Sequence, residues 1–85
     1  MNYRLSLHAE DALVKRNIPL AWIERVLAHP QRIEPDRLDA ALEHRMAVIP
    51  EHGDRVLRVI INRQKRPELV VTAFFDRKKK GAHII

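Results

Sequence analysis

The chain has no cysteine, and its aromatic residues other than histidine are only Tyr3, Trp22, Phe74 and Phe75. Without thiols there is no disulfide to staple a small fold and no thiolate to hold a structural zinc, so stability must come from packing. The absence of cysteine also fits a reducing cytoplasm. Scarce aromatics leave few platforms for stacking on bases: Trp22 and Phe75 fall at core spacing, which leaves Phe74 and Tyr3. No apolar run approaches the roughly 20 residues that a bilayer requires. The opening Met1-Asn2-Tyr3-Arg4 does not resemble a signal peptide. The expected location is therefore the cytoplasm, with no membrane partner.

What is present is the composition of a folded protein, 46% apolar and 32% charged over 85 residues. A chain of this length makes one domain, 1–85, burying about 60–65% of its unfolded surface. The net charge of +5 is unevenly spread. Residues 1–43 carry six Lys/Arg against seven Asp/Glu, whereas 44–85 carry ten against four. A basic field of that concentration favours polyanions, nucleic acid above all, although cations also simply keep a small protein in solution.

Tyr3, Leu5 and Leu7 alternate with polar residues, as in a short first strand. Ser6 is placed to cap a helix over about 7–16, with Ala9, Ala12 and Leu13 at helical spacing and Glu10 and Asp11 near its positive end. Asn17-Ile18-Pro19 breaks it. A second helix begins at or beside Pro19, carries Trp22, Ile23, Val26 and Leu27 on one stripe, and stops before Pro30. Ile33 lies in a short extended segment, and 37–43 has the pattern of one more helical turn. From Arg45 the period becomes two, predicting strands at 45–50, 55–62 and 68–75 with hairpin loops at 51–54 and 63–67. The fold class is α+β: two N-terminal helices on one face of a sheet of three to four antiparallel strands, with a basic C-terminal tail over about 77–85.

With loops of those lengths, Asn62 pairs with Glu68, Arg58 falls opposite Thr72, and Ala47 opposite Arg58. Met46, Val48, Leu57, Val59, Ile61, Leu69, Val71, Ala73 and Phe75 then form the helix-packed face. Arg45, Arg58 and Thr72 share the other face, together with Asp76 and Lys78 if the strand continues. Guanidinium forks matched to phosphate make that face an anion site, unless Arg58 pairs with a carboxylate such as Asp76 or Glu43. Arg77, Lys78, Lys79 and Lys80 after the last strand, with Lys65 and Arg66 in the second loop, add further candidate RNA contacts.

Of the five histidines, His8 opens the first helix, where the dipole favours a neutral imidazole, and His44 precedes the first clear strand. Cleavage of RNA through its own 2′-hydroxyl needs a base, an acid and cations on the phosphate. His8, His44 and Arg58 are the candidate catalytic residues. There is no His-x-His, no His-Glu-x-x-His and no cysteine, so neither a metal site nor a cofactor is expected.

His8-Ala9, Arg16-Asn17-Ile18, Val26-Leu27-x-x-Pro30, Arg55-Val56-Leu57-Arg58-Val59 and Val70-Val71-Thr72-Ala73-Phe74-Phe75-Asp76-Arg77 together resemble the bacterial family called domain of unknown function 4258, over about residues 5–80. The chain departs from it at Asn17, usually glycine, and at Pro19, usually a capping residue such as serine. The resemblance implies a fold similar to the RelE, BrnT and barnase type of ribonuclease toxin, with helices on one side of the sheet and RNA on the other. The expected function is RNA binding of the toxin-like class, with metal-independent endoribonuclease activity as its candidate chemistry and single-stranded or ribosome-associated RNA as partner. The alternative is a non-catalytic interaction module that pairs with an acidic, antitoxin-like protein.

Overall fold

The computed structural model describes residues 2–80. In chain order the elements are β1 (Tyr3–Leu5), α1 (Leu7–Lys15), α2 (Leu20–Ala28), β2 (Arg32–Pro35), β3 (Leu42–Ile49), a 3-10 turn (Pro50–His52), β4 (Arg55–Asn62) and β5 (Glu68–Lys80). The strands form one five-stranded sheet in the order β1-β5-β4-β3-β2. It is mixed: β1 runs parallel to β5, and the other pairings are antiparallel. The α+β class and the two early helices agree with expectation, while the sheet has more strands than expected and is not wholly antiparallel. No helix among the described residues is long and apolar enough to cross a membrane.

The helices begin and end for local reasons. Ser6 is extended (φ −70°, ψ 163°), and its Oγ accepts the Ala9 N–H at 3.0 Å while donating to the Val71 carbonyl at 3.0 Å. That second bond matters because β5 bulges at Val71: Ile60 pairs with Thr72 and Ile61 with Val70, leaving the residue between without a partner opposite. One hydroxyl thus caps α1 and supplies a donor to the bulge. Ser6→Ala is expected to lower the unfolding free energy by about 2–3 kcal/mol, the sum of a lost cap and an orphaned, part-buried carbonyl; urea unfolding followed by circular dichroism measures it. Just past α1, Asn17 has φ 52°, a left-handed conformation that glycine and asparagine tolerate best. Asparagine therefore suits this position without strain. Pro19 occupies the N-cap position of α2 with no side-chain cap, so the helix proper starts at Leu20.

The main core lies between helices and sheet, built from Ala9, Ile18, Ile23 and Val26 against Ala47, Ile49, Leu57, Val59, Ile61, Val70 and Ala73. A smaller apolar cluster, Met46 and Val56 with Val48, lies on the far face.

Three expectations need correction. Residues 37–43 form no helical turn: the Asp36 carboxylate accepts the N–H groups of Leu38 and Asp39, the Asp39 carboxylate accepts that of Ala41, and Leu38 is 98% exposed, so turn chemistry prevails where no apolar stripe is buried. β3 consequently starts at Leu42. Second, the β3–β4 connection is Pro50–Asp54, with Gly53 and Asp54 both left-handed, so Ile49 pairs with Arg55 and Arg58 falls opposite Met46, not Ala47. A one-residue shift moves every β3 side chain to the opposite face. Ala47 and Ile49 pack under the helices, while His44, Met46 and Val48 join the far face. Third, the bulge at Val71 pairs Asn62 with Leu69 and Thr72 with Ile60, not with Glu68 and Arg58. The segment read as a basic tail is, over 77–80, the end of β5; residues 81–85 lie outside the described residues.

Candidate nucleic-acid interface

Among the described residues no helix covers the far face of the sheet. Cross-strand pairs bring Glu34 opposite His44, and Met46 and Phe74 each opposite Arg58. At its centre Arg58, with a side chain 12% exposed, uses its donors in several directions. Its Nε and Nη2 donate to Asp76 Oδ2 at 3.1 and 2.7 Å, and its Nη1 donates to His44 Nδ1 at 2.7 Å, with Glu34 Oε1 at 3.5 Å. His44 Nε2 lies 2.7 Å from Asp36 Oδ1.

These contacts assign the tautomer of His44. Guanidinium can only donate, so Nδ1 must be the lone-pair nitrogen, and Nε2–H donates to Asp36. The carboxylate is suited to receive it: hydrogen bonds from His44 and from the Leu38 and Asp39 N–H groups hold Asp36 below the usual carboxylate range. Burial opposes the charge on Asp76, but the bonds from Arg58 and from the Lys78 and Lys79 N–H groups outweigh it, and its titration is also lowered. Glu34 is lowered chiefly by the Arg32 Nε bond at 2.6 Å, with Lys79 and Arg58 contributing through charge. Arg32, Arg58 and Lys79 thus balance Glu34, Asp36 and Asp76 around a neutral imidazole.

Two open clefts meet at His44 and Arg58. One, about 420 Å³, is completed by Phe74, Asp76, Arg77 and Lys78. The other, about 680 Å³, runs along Glu34 to Leu38 and Lys79.

The expected site residues therefore separate into groups. His44, Arg58 and Thr72 share the far face, with Arg77, Lys78 and Lys79 at its end, although Lys79 Nζ is 3.8 Å from Glu34. Lys80 closes β5, and its side chain lies outside the described part. Arg45 is on the helix side, where it donates to Glu43 Oε2 at 2.8 Å and reaches Glu68 at 3.2 Å. The expected grouping of Arg45 with Arg58 is thus overturned by the one-residue shift of β3. His8 is exposed on α1, whose buried Ala9 packs into the helix-side core, so the sheet separates it from His44. Lys65 and Arg66 occupy the β4–β5 turn at the opposite end of β4 from Arg77, and Arg66 Nη1 donates to the Arg63 and Lys65 carbonyls. Asp36 and Glu34 escaped sequence reading because only the β2–β3 pairing brings them to His44; the Pro35-Asp36 turn signal alone gave no hint of it.

Residues 5–75 match the family described as a domain of unknown function, DUF4258. The chain belongs to the DUF4258 family. No curated protein and no solved structure matches it. The match spans α1 to Phe75 of β5, and so includes Asp36, His44 and Arg58, whereas Asp76, Arg77 and Lys78 follow it directly. The DUF4258 domain thus contains the imidazole and its two partners, and the unmatched end of β5 contributes the cations beside them.

Proposed function

We propose that this DUF4258 protein is RNA-directed, of the RelE-like toxin class, and that the open sheet face binds the strand and cleaves it without metal. The observation that carries the reading is the neutral His44 held between a carboxylate and a guanidinium where two clefts meet, beside Phe74, Arg77 and Lys78. A phosphate entering the cleft competes for Arg58 Nη1, which leaves Nδ1 and frees its lone pair. Nδ1 then takes the proton of the 2′-hydroxyl. The P–O2′ bond forms as the P–O5′ bond breaks, and the departing 5′-oxygen takes a proton from water. Asp36 steadies the imidazolium so formed, as carboxylates do behind catalytic histidines. Arg77 and Lys78, which are in no ion pair among the described residues, hold the flanking phosphates.

Docking of an acidic protein by strand addition has less support, since β1 and β2 are three and four residues long and β2 ends in Pro35.

The test is end-labelled single-stranded RNA incubated with the protein in EDTA, with fragments and their ends resolved on a gel. Products with 2′,3′-cyclic phosphate ends are expected. The double variant Arg77→Gln, Lys78→Gln should weaken RNA binding and lower the slope of log affinity against log salt by about 2. Intact RNA throughout removes the cleavage reading, and an unchanged salt slope removes this face as the binding surface.

A further inference from the structure

Around the end of β5 from the His44 cleft lies a second, smaller pocket of about 300 Å³, lined by Arg16, His52, Arg55, Phe74, Phe75 and Arg77. Three arginines and, among the described residues, no carboxylate face it. Among the described residues none of these arginines is in an ion pair, whereas Arg25, Arg32, Arg45, Arg58 and Arg63 all are. Three guanidinium groups around one concavity repel each other unless an anion or solvent separates them, and their planar forks match phosphate oxygens.

The pocket is built by structure and not by a flexible tail. After Val56 pairs with Asp76, the next pair is Arg55 with Lys80, so β5 loops out between them and turns Arg77 away from the regular ladder. Arg16 is placed at the C-cap of α1, where its Nη1 reaches the Ala73 carbonyl at 3.4 Å. Phe75 is fixed by a stacked His52, centroids 4.2 Å apart, and by Trp22 edge-on at 6.1 Å, and the Arg55 guanidinium sits 5.9 Å over its ring. Arg16 and Arg55 are thus each tied to a neighbour, which lowers the entropy they lose when a ligand is held, while Arg77 stands exposed at the strand end.

We infer that this pocket is a nucleotide-phosphate site, taking the phosphate between Arg16, Arg55 and Arg77 with the nucleoside against Phe74. Its volume is at the small end of ligand sites, enough for one nucleotide unit. Phe74 and Arg77 line this pocket and the His44 cleft alike, so the bound phosphate belongs to a nucleotide next to the one at His44. The inference extends the RNA-directed reading but does not require cleavage.

The experiment is calorimetric titration of the full chain at low salt with adenosine 5′-monophosphate, inorganic phosphate and adenosine, with Trp22 fluorescence as a second readout. Saturable one-site binding of the monophosphate is expected, with inorganic phosphate weaker and adenosine weaker still. Arg55→Gln should reduce affinity about tenfold or more, as loss of a charge-assisted fork implies, and Arg4→Gln, which removes the same charge from β1, should not. Because Arg16 also offsets the helix end, Arg16→Gln is read only alongside Arg55→Gln and a circular dichroism check of folding. No saturable binding up to about 20 mM, well beyond the millimolar affinity of a weak single site, overturns the inference. So does equal affinity for adenosine, or an Arg55→Gln affinity equal to wild type. Phosphate binding without RNA cleavage would leave this site standing and remove only the catalytic reading.

Discussion

Arg58→Ala is expected to destabilise the fold by about 3 kcal/mol, the low end for removing one partner of a buried pair. In a domain of this size that is a fall in Tm of roughly 10–25 °C. The size follows from what is left behind. Asp76, with a side chain 12% exposed, loses its paired Nε and Nη2 donors; His44 Nδ1 loses its donor; and Met46, fully buried opposite the Arg58 stem, is uncovered. A loss below about 0.5 kcal/mol in urea unfolding would mean that the network behaves as an exposed one. Acid should mimic the variant. Asp36, Asp76 and Glu34 are all held below their ordinary titration in the folded state, so the unfolded chain takes up protons at higher pH. Their contribution is complete above the ordinary carboxylate range and disappears as pH falls through the folded-state values. Wild type should therefore lose stability on acidification more steeply than Arg58→Ala. Arg58→Ala is therefore a poor probe of RNA chemistry, because it perturbs the fold first.

The helices were legible because their signals are local: Ser6 three residues before Ala9, the Asn17-Ile18-Pro19 break, and Ile23 with Val26 at helical spacing. The alternation of β4 was legible too, and Leu57, Val59 and Ile61 are where it puts them, under the helices. What was hidden depended on single-residue offsets set by turns and bulges. The Pro50–Asp54 connection has two successive left-handed residues, and alternation in β3 reads equally well in either phase: Arg45, Ala47, Ile49 or His44, Met46, Val48. That one offset exchanges Arg45 for His44 beside Arg58, and with it a phosphate clamp for a histidine between a carboxylate acceptor and a guanidinium donor. The extended segment around Ile33 was legible but its place as β2 in the sheet was not, because four residues, two of them charged and one proline, carry no register signal; only the open edge of β3 recruits them.

Replacing His44 with asparagine should cut the rate of RNA cleavage by about 10²–10⁴-fold, the usual worth of a positioned base, with RNA binding unchanged. Asparagine Oδ1 can stand where Nδ1 stood and keep an acceptor for Arg58, so the Arg58–Asp76 pair persists and the loss reports chemistry. Asp36→Asn tests the same centre from behind. The amide keeps an oxygen for Nε2–H but not the negative charge that steadies an imidazolium, while Arg58 Nη1 still holds the lone pair on Nδ1. Single-turnover cleavage should fall in Asp36→Asn while its affinity for uncleaved RNA does not. If both variants cut RNA at the wild-type rate, His44 is a structural acceptor for Arg58, and the cutting is done by other residues.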